Sequence, residues 1–237
     1  MTAMFEEIDH RDTRIGVLSL RRRRLTRDSK DIWEIKLDEG YLMSSQFVEG
    51  EIALATLALS MVAGDRLRIV VGGLGLGYTA KAALDDPRVA HLSVIELIPE
   101  VIGWHREHLL PLGQALTSDP RCTLKEGDFF ALSQADEGFG DEAGQLQDAI
   151  LVDIDHSTTH LIHEASAAFY QTSAIASMIR KLRPGGVFAL WSSDEISQEF
   201  LATMRAALTD VRAERVEFYN PYRDEPGFNI IYIGRRA

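Results

Sequence analysis

Residues 13–45 alternate apolar and polar positions with the two-residue period of a β-strand. Two such segments, Arg14–Leu25 and Asp31–Met43, flank a polar stretch from Thr26 to Lys30, and this arrangement predicts a β-hairpin. A lone hairpin is marginally stable in water, so we expect it to pack on the remainder of the chain. We therefore predict a small N-terminal β-hairpin module over residues 1–48 and a larger domain over residues 49–237.

After this module the pattern changes to short apolar runs that alternate with helical stretches. The predicted helices are Glu49–Ala63, Tyr78–Leu84, Pro99–Leu109, Ala165–Leu182 and Glu195–Leu208. The predicted strands are Leu67–Val71, His91–Glu96, Cys122–Glu126, Ala149–Val152, Val187–Trp191, Arg215–Tyr219 and Asn229–Gly234. This alternation predicts an α/β fold with a doubly wound, mostly parallel sheet of seven strands. No helix separates the last two strands, so we expect them to form an antiparallel hairpin at the edge of the sheet.

Composition indicates the class of protein and the cellular compartment. Of the 237 residues, 46% are hydrophobic and 26% are charged, which is ordinary for a globular domain. The one cysteine, Cys122, has no partner for an internal disulfide, and this favours a reducing compartment. The N-terminal residues lack the apolar core of a signal peptide, and the longest mostly apolar stretch, from Ile52 to Ala63, is too short to cross a bilayer. We expect a soluble cytoplasmic protein without a membrane partner.

Charge is distributed unevenly along the chain. The net charge of −11 disfavours general binding to nucleic acids. Residues 11–30 nevertheless carry eight basic and two acidic side chains, including the run Arg21–Arg24. This run fits either a nucleic-acid patch or a solvated strand face, and we favour the strand face because apolar residues flank it and no aromatic residues interleave with it. The acidic remainder of the chain suits a cationic or zwitterionic small molecule.

A glycine-rich loop follows the first strand of the larger domain, with the sequence Gly72-Gly73-Leu74-Gly75-Leu76-Gly77 ahead of the helix at Tyr78. Glycines let the backbone turn tightly and approach a ligand at a helix N-terminus. By itself the loop fits NAD, FAD and adenosyl-methionine cofactors equally well.

Acidic residues end the next three strands of the predicted sheet. Glu96 lies 19 residues after Gly77, where a carboxylate can accept hydrogen bonds from two ribose hydroxyls. Asp128 can receive an adenine amino group, Phe129 can line the ring pocket, and Asp153 ends the fourth strand. Each acid alone fits a helix N-cap or a solvated loop, but their order along one sheet edge favours a nucleoside site. The predicted nucleoside-binding residues are Gly73, Gly75, Gly77, Glu96, Asp128, Phe129 and Asp153.

These motifs resemble the spermidine synthase (polyamine aminopropyltransferase) family, within the Rossmann-like fold of S-adenosylmethionine-dependent methyltransferases. The matching segments are Gly73–Gly77, Val94–Leu97, Gly127–Asp128, Ala149–Asp153, Phe169–Tyr170 and Leu182–Val187. The resemblance implies S-adenosylmethionine or its decarboxylated form as co-substrate, and a small amine or similar nucleophile as acceptor. A β-hairpin module ahead of the domain also fits that family, and the exposed hairpin suits a homodimer contact.

The chain departs from the family where the amine groups are held. The family usually carries an aspartate inside its glycine loop, and we place Leu76 at that position. After the fourth strand, Asp153-Ile154-Asp155-His156 replaces the family's pattern of two aspartates and a proline. The tyrosine expected at the start of the preceding helix is absent from Gln46-Phe47-Val48-Glu49-Gly50-Glu51. We predict Gln46, Glu51 and Trp191 as substrate-binding residues, although Trp191 fits the core equally.

The loop after the fourth strand concentrates polar chemistry, with His156, His160 and His163 close to Asp153 and Asp155. Histidine titrates near neutrality and suits acid/base work on an amine or hydroxyl nucleophile. The spacings of the histidines also fit a metal site, and a polar loop that caps the next helix fits as well. We expect no metal, and we predict Asp153, Asp155 and His156 as catalytic residues.

The sequence as a whole predicts a transferase that uses an adenosyl-sulfonium donor. Aminopropyl transfer to an amine is the first hypothesis, and methyl transfer is the second. A third is a non-catalytic homologue that binds the nucleoside without turnover.

Overall fold

The computed structural model describes residues 5–26, 29–139, 144–162, 164–220 and 224–237. It contains two β-sheets, one of four strands and one of seven. The helices pack on the seven-stranded sheet, and the small sheet precedes them in the chain. The division of the chain into units at residue 48 stays a prediction.

The N-terminal sheet is antiparallel, with its four strands in chain order. Its strands are β1 (Phe5–Thr13), β2 (Gly16–Arg23), β3 (Ile32–Leu37) and β4 (Gly40–Ser44). The expectation of two extended segments was therefore incomplete. A strand precedes the predicted pair, and the segment Asp31–Met43 contains a turn. Asp38 makes that turn in the left-handed region, with φ of 51°, where its short side chain accepts a hydrogen bond from the Val17 amide at 2.8 Å.

The basic run covers the end of β2 and the residue after it, and each of its four arginines has an acidic partner. Arg21 pairs with Glu7 at 3.3 Å and Arg22 pairs with Glu6, both across to β1. Arg23 contacts Glu34 of β3 at 2.7 Å, and Arg24 contacts Asp31. The acidic residues near the N-terminus are thus the counter-charges of the arginines, which explains why a strand forms there.

The seven-stranded sheet confirms the predicted doubly wound, mostly parallel architecture. Its strands are β5 (Leu67–Gly72), β6 (Val89–Glu96), β7 (Cys122–Glu126), β8 (Gln147–Val152), β9 (Leu182–Ser192), β10 (Thr209–Asn220) and β11 (Glu225–Arg235). They lie in the order β10-β11-β9-β8-β5-β6-β7. Strands β5 to β9 run parallel, whereas β10 and β11 form the expected antiparallel hairpin at one edge. The strand order reverses between β5 and β8, where open α/β sheets bind ligands.

The five predicted helices are present, four of them with altered ends. The described helices are α1 (Glu49–Met61), α2 (Tyr78–Leu84), α3 (Pro99–Arg106), α4 (Gly113–Thr117), α5 (Phe129–Gln134), α6 (Thr172–Ile179) and α7 (Gln198–Arg205). The two short helices α4 and α5 were not predicted. The predicted helix Ala165–Leu182 divides into a 3₁₀ helix, Glu164–Tyr170, and α6. The predicted helix Glu195–Leu208 begins only at Gln198, because the Ser197 hydroxyl accepts a hydrogen bond from the Phe200 amide and caps it there. In the described part of the chain, no helix is both long and apolar enough to cross a bilayer.

The central strands are apolar on both faces because helices cover both sides of the sheet. One face carries Ile69, Val71, Ala149, Leu151, Val187, Ala189, Ile231 and Ile233, packed with α1 to α4. The other carries Val70, Ile150, Val152, Phe188, Leu190, Ile230 and Tyr232, packed with α5 to α7. The loops at the carboxyl ends of the strands are thereby held on a rigid frame.

The N-terminal sheet is tied to this frame by a hydrogen bond between distant residues. The indole nitrogen of Trp104, in α3, donates to Asp9 Oδ2 of β1 at 2.6 Å. Trp104 is fully buried, so its N–H has no access to water as a replacement acceptor. This bond orients the N-terminal sheet over the carboxyl edge of the large sheet.

We predict that Asp9→Ala lowers the free energy of unfolding by about 1–3 kcal/mol, because it leaves a buried indole N–H unpaired. Asp9→Asn is the matched control, since its amide oxygen can still accept that hydrogen bond. Urea unfolding of both variants tests this. Equal stability of Asp9→Ala and Asp9→Asn would contradict the proposed tie.

Candidate functional site

A cavity of about 610 Å³ opens at the carboxyl ends of β5, β6 and β8. The N-terminal sheet and the start of α1 form its opposite wall, with Met43 and Phe47 among the residues that line it. Of the predicted site residues, those that line the cavity are Gly73, Gly75, Glu96, Asp128, Phe129, Asp153, Asp155, His156, Glu51 and Trp191. The structure thus brings together residues that are separated by up to 140 positions in the chain.

The glycine loop has left-handed backbone conformations that favour glycine. Gly73, Gly75 and Gly77 have φ angles of 91°, 46° and 91°. A Cβ at Gly73 would collide with the Asp153 carbonyl, so this glycine permits close contact between two strand ends. Gly77 does not line the cavity; its Cα faces Leu116 and His105.

The buried imidazole of His105 contacts the backbone of the glycine loop. Its Nε2 lies 2.9 Å from the Gly75 carbonyl oxygen, and burial lowers its pKa. The neutral ring with a proton on Nε2 therefore donates to that carbonyl.

Glu96 connects the glycine loop to the segment after β6, with one carboxylate oxygen hydrogen-bonded to each. Oε2 accepts a hydrogen bond from the Leu74 amide and Oε1 accepts one from the Ile98 amide, each at 2.9 Å. The side chain is buried, and burial raises its pKa. The sequence did not reveal that Glu96 links two backbone segments. Each carboxylate oxygen can still accept a second hydrogen bond, so ribose binding by Glu96 stays a prediction.

Asp128 and Phe129 also have structural contacts. Asp128 caps α5 by accepting a hydrogen bond from the Ala131 amide at 3.1 Å, which is the alternative considered for an isolated acid. Phe129 is buried, and its ring occupies the space beside Gly72, where a Cβ would lie 2.6 Å from it. The neighbouring Phe130 is only partly buried and lines the cavity as well, so this turn presents two rings to the cavity.

Two carboxyl groups, the buried Glu51 and the half-buried Asp153, lie near each other in the cavity wall. Asp153 Oδ2 accepts a hydrogen bond from the Thr79 hydroxyl at 2.6 Å, and Glu51 is only 7% exposed. Glu51 Oε2 is shut off from solvent and has no hydrogen-bond partner among the described residues. Burial raises the pKa of both groups, and the charge of Asp153 raises the pKa of Glu51 further. Like charges held out of water make this pair a favourable place for a cation.

Leu76 does not face the cavity, which corrects the role given to it from the sequence. It is 1% exposed and packs in the core, so a side chain at this position cannot reach a ligand. Gly75 borders the cavity instead, and a Cβ there would lie 2.5 Å from Met43 Sδ. That sulfur lies 3.0 Å from the Leu76 amide, which donates to it. The thioether of Met43 therefore occupies the space that a loop side chain would fill.

The polar loop after β8 is organised by Asp155. Its oxygens accept hydrogen bonds from the Ile162 amide at 2.8 Å and the Tyr170 hydroxyl at 2.7 Å, and it is buried. These contacts give Asp155 a structural task. His156 lines the cavity, and its Nε2 lies 3.1 Å from the Tyr41 carbonyl oxygen. The rings of His156 and His160 lie 5.0 Å apart, whereas His163 lies outside the described residues.

Gln46 and Trp191 have different surroundings. Gln46 does not line the cavity, and its side-chain oxygen accepts a hydrogen bond from Arg23 at 3.1 Å. Trp191 does line it, and its indole nitrogen is buried without a hydrogen-bond partner in the described part of the chain. A Cβ at Gly50 would collide with this nitrogen and with the Asn229 side chain, so glycine at position 50 lets Trp191 approach α1.

Sequence reasoning missed Met43, Thr79 and the aromatic pair Phe47 and Phe218. The two rings stack with centroids 4.7 Å apart and line the cavity, although 171 positions separate them in the chain. No local motif marks such residues, because their place in the site depends on contacts between distant segments. Among the described residues, no group of three or more histidine, cysteine, aspartate and glutamate side chains is arranged to hold a metal ion.

Comparison with known structures defines the class of fold. Spermidine synthase from Thermotoga maritima aligns with a TM-score of 0.73 at 14% identity, covering 98% of this chain and 73% of that one. The N-methyltransferase NodS from Bradyrhizobium japonicum aligns with a TM-score of 0.53 at 16% identity, covering 79% of this chain and 94% of that one. The protein therefore has the Rossmann-like methyltransferase fold, with an additional N-terminal β-sheet.

Sequence comparison shows similarity to polyamine aminopropyltransferases. Polyamine aminopropyltransferase 2 from Pseudomonas aeruginosa is 25% identical over 199 residues, 81% of this chain and 54% of that protein. Polyamine aminopropyltransferase from Corynebacterium efficiens is 30% identical over 147 residues, 60% of this chain and 26% of that protein. The chain thus spans about half and about a quarter of the lengths of these relatives. No family model matches it. The chain is spermidine synthase-like, as its motifs predicted.

The raised pKa of Glu51 predicts a pH-dependent effect on stability. In the unfolded chain this carboxyl ionises near its ordinary value of 4.5, and in the folded protein it ionises at higher pH. The folded state then holds the extra proton between the two values, so stability falls as pH rises through that window. Glu51→Gln does not titrate, and we expect it to raise the free energy of unfolding by roughly 1–2 kcal/mol at about pH 8 and by less at about pH 5.

Chemical denaturation at the two pH values measures this. Glu49→Gln is the control, since it removes an exposed charge from the same turn of α1 and should change stability by less than about 0.5 kcal/mol. A gain for Glu51→Gln that is equal at both pH values would contradict the raised pKa.

Proposed function

We propose that the protein is a transferase that moves an alkyl group from an adenosyl-sulfonium donor to an amine acceptor. The observation that carries the proposal is the cavity that joins a glycine loop to the carboxyl pair Glu51 and Asp153. The similarity to polyamine aminopropyltransferases supports the same reaction class, with aminopropyl transfer as the first candidate.

The nucleoside end of the donor would lie along the carboxyl ends of β5, β6 and β7. Gly73 and Gly75 leave the backbone open to close approach, and Glu96 offers its remaining acceptor capacity to ribose hydroxyls. Asp128 is exposed and lines the cavity beside Phe130, which suits contact with a base and its amino group. These roles fit the geometry and await the binding measurements below.

The reaction needs positioning and the removal of one proton. An ammonium bound between Glu51 and Asp153 loses a proton to a carboxylate, and the freed nitrogen lone pair attacks the carbon beside the sulfonium. The carbon–sulfur bond breaks as the new carbon–nitrogen bond forms, and its electron pair stays on sulfur as a neutral thioether. Burial raises the pKa of Asp153 while the Thr79 hydrogen bond opposes the shift, and a carboxylate with a raised pKa is a stronger general base.

The donor's tail would lie near Met43 and Gly75, where the wall offers a thioether and no charge. A carboxylate in this place would repel the carboxylate of intact S-adenosylmethionine and favour the decarboxylated form. Its absence supports a site that accepts both donors. This observation favours methyl transfer as the second candidate function, since that reaction uses the intact donor.

The expectations about location, oligomeric state and partners rest on the sequence. A cytoplasmic location and a homodimer stay predictions, as does the absence of a nucleic-acid partner. A non-catalytic homologue that binds the same nucleoside is the alternative that a product assay excludes.

We predict binding of adenosyl-sulfonium nucleosides in preference to NAD, because the glycine loop and the acids of β6, β7 and β8 form one cavity. Calorimetry with methylthioadenosine, S-adenosylhomocysteine and NAD measures the preference. Asp153→Asn should retain nucleoside affinity within about threefold and lose at least about a hundredfold in turnover, since its work is at the reacting end.

Two results would contradict this proposal. Binding of NAD without binding of the other nucleosides would exclude the donor class. Full turnover by Asp153→Asn would show that the carboxyl pair does not take the proton, whereas nucleoside binding without any product would favour the non-catalytic homologue.

The uncharged wall at Gly75 predicts weak discrimination between donors. We expect intact and decarboxylated S-adenosylmethionine to bind within about tenfold of each other. Gly75→Asp combined with Met43→Ala puts a carboxylate into the space that the thioether now fills, in a backbone conformation that aspartate tolerates. This double variant should shift preference toward the decarboxylated donor.

Gly75→Asn with Met43→Ala is the isosteric control, because it adds the same shape without the charge. Calorimetric titration of both donors into the three proteins measures the shift. Strong exclusion of the intact donor by the unmodified protein would contradict the prediction.

A further inference from the structure

The acidic groups in the cavity wall provide one free place for a cation. Among the described residues the cavity is lined by five carboxylates and by no lysine or arginine. Three of the five accept hydrogen bonds from backbone amides: Glu96 from Leu74 and Ile98, Asp128 from Ala131 at the cap of α5, and Asp155 from Ile162. Within the described part of the chain, Asp153 accepts a hydrogen bond only from the Thr79 hydroxyl, and Glu51 Oε2 has no partner. The remaining two, Glu51 and Asp153, form the single pair described above.

The cavity wall around the start of α1 is largely aromatic. Phe47 and Phe218 stack on each other there, and Trp191 lines the same cavity near the start of α1. The unpartnered polar atom of Trp191 is a donor, which cannot form a hydrogen bond with an ammonium because both groups are donors. A second ammonium in this region would meet ring faces, which attract a cation by about 0.5–2 kcal/mol, and the Asn229 side chain. It would meet no carboxylate among these residues, and the transfer of an unpaired charge out of water costs more than these contacts return.

We propose that the acceptor is a monoamine with an uncharged, largely apolar tail, and that a diamine or polyamine is disfavoured. The single ammonium lies between Glu51 and Asp153, and the tail extends over Phe47, Phe218 and Trp191. This inference rests on the proposed transferase function and deepens it, since it specifies the class of amine. The transfer step is the one given above, with the amine nitrogen as nucleophile and a carboxylate as the proton acceptor.

The test compares two amines of nearly equal size and shape, n-pentylamine and putrescine. Putrescine differs in that a second ammonium replaces the terminal methyl group. Both amines are titrated into the protein saturated with methylthioadenosine, and both are assayed for product with each adenosyl-sulfonium donor by mass spectrometry. We expect n-pentylamine to bind at least about tenfold more tightly and to have the higher kcat/KM.

A matched pair of variants tests the aromatic wall directly. Phe218→Asp adds the missing second carboxylate and should reverse the preference toward putrescine, whereas Phe218→Leu keeps the wall apolar and should retain the preference for n-pentylamine. The wild-type comparison stands by itself if Phe218→Asp does not fold.

The outcomes separate this inference from the function on which it rests. Tighter binding or faster turnover of putrescine by the wild-type protein overturns the inference and leaves the transferase intact. Failure of both amines to bind to the nucleoside-saturated protein also overturns it. Failure of methylthioadenosine itself to bind contradicts the proposed function.

Discussion

The site depends on two neighbouring carboxyl groups that are largely removed from water, the buried Glu51 and the half-buried Asp153. Asp153 is at the carboxyl end of β8 and Glu51 is in the first turns of α1, and Thr79 of α2 donates a hydrogen bond to Asp153. Burial of like charges is unfavourable unless a cation or a proton compensates. Such a pair costs stability, and in the proposed function it would provide the place where the acceptor ammonium binds and loses a proton.

The N-terminal sheet is as necessary to this cavity as the large sheet is. Its Met43 contacts the glycine loop, and its Tyr41 carbonyl contacts His156 in the loop after β8. The hydrogen bond between Asp9 and Trp104 ties the same sheet to α3. In the proposed binding mode the donor tail would border this sheet at Met43, so changes in its side chains could alter donor specificity without changing the nucleoside end.

Several residues that the sequence predicts to bind ligand also make hydrogen bonds that stabilise loops and helix ends. Glu96 anchors the glycine loop, Asp128 caps a helix, and Asp155 organises the polar loop. These contacts explain why acidic residues at strand ends are such ambiguous signals, since a backbone amide and a ligand hydroxyl attract a carboxylate for the same reason. Glu51 and Asp153 differ from these three because they are near neighbours, with Asp153 bonded to the Thr79 hydroxyl and Glu51 Oε2 without a hydrogen-bond partner among the described residues. That distinction depends on the geometry around each group.

The sequence by itself determined the succession of the seven strands in the large sheet, its doubly wound architecture, the glycine loop and the acids that follow the strands. These features are local, because periodicity and glycine placement depend on residues that are neighbours in the chain. The sequence did not reveal β1, the division between β3 and β4, or the short helices α4 and α5. Tertiary structure decided what fills the cavity. In the folded protein Leu76 lies in the core, and Met43 lies beside Gly75. Gln46 binds Arg23, and Phe47 stacks on Phe218. Each of these outcomes depends on how two distant segments pack, and no pattern within either segment specifies the partner that it meets.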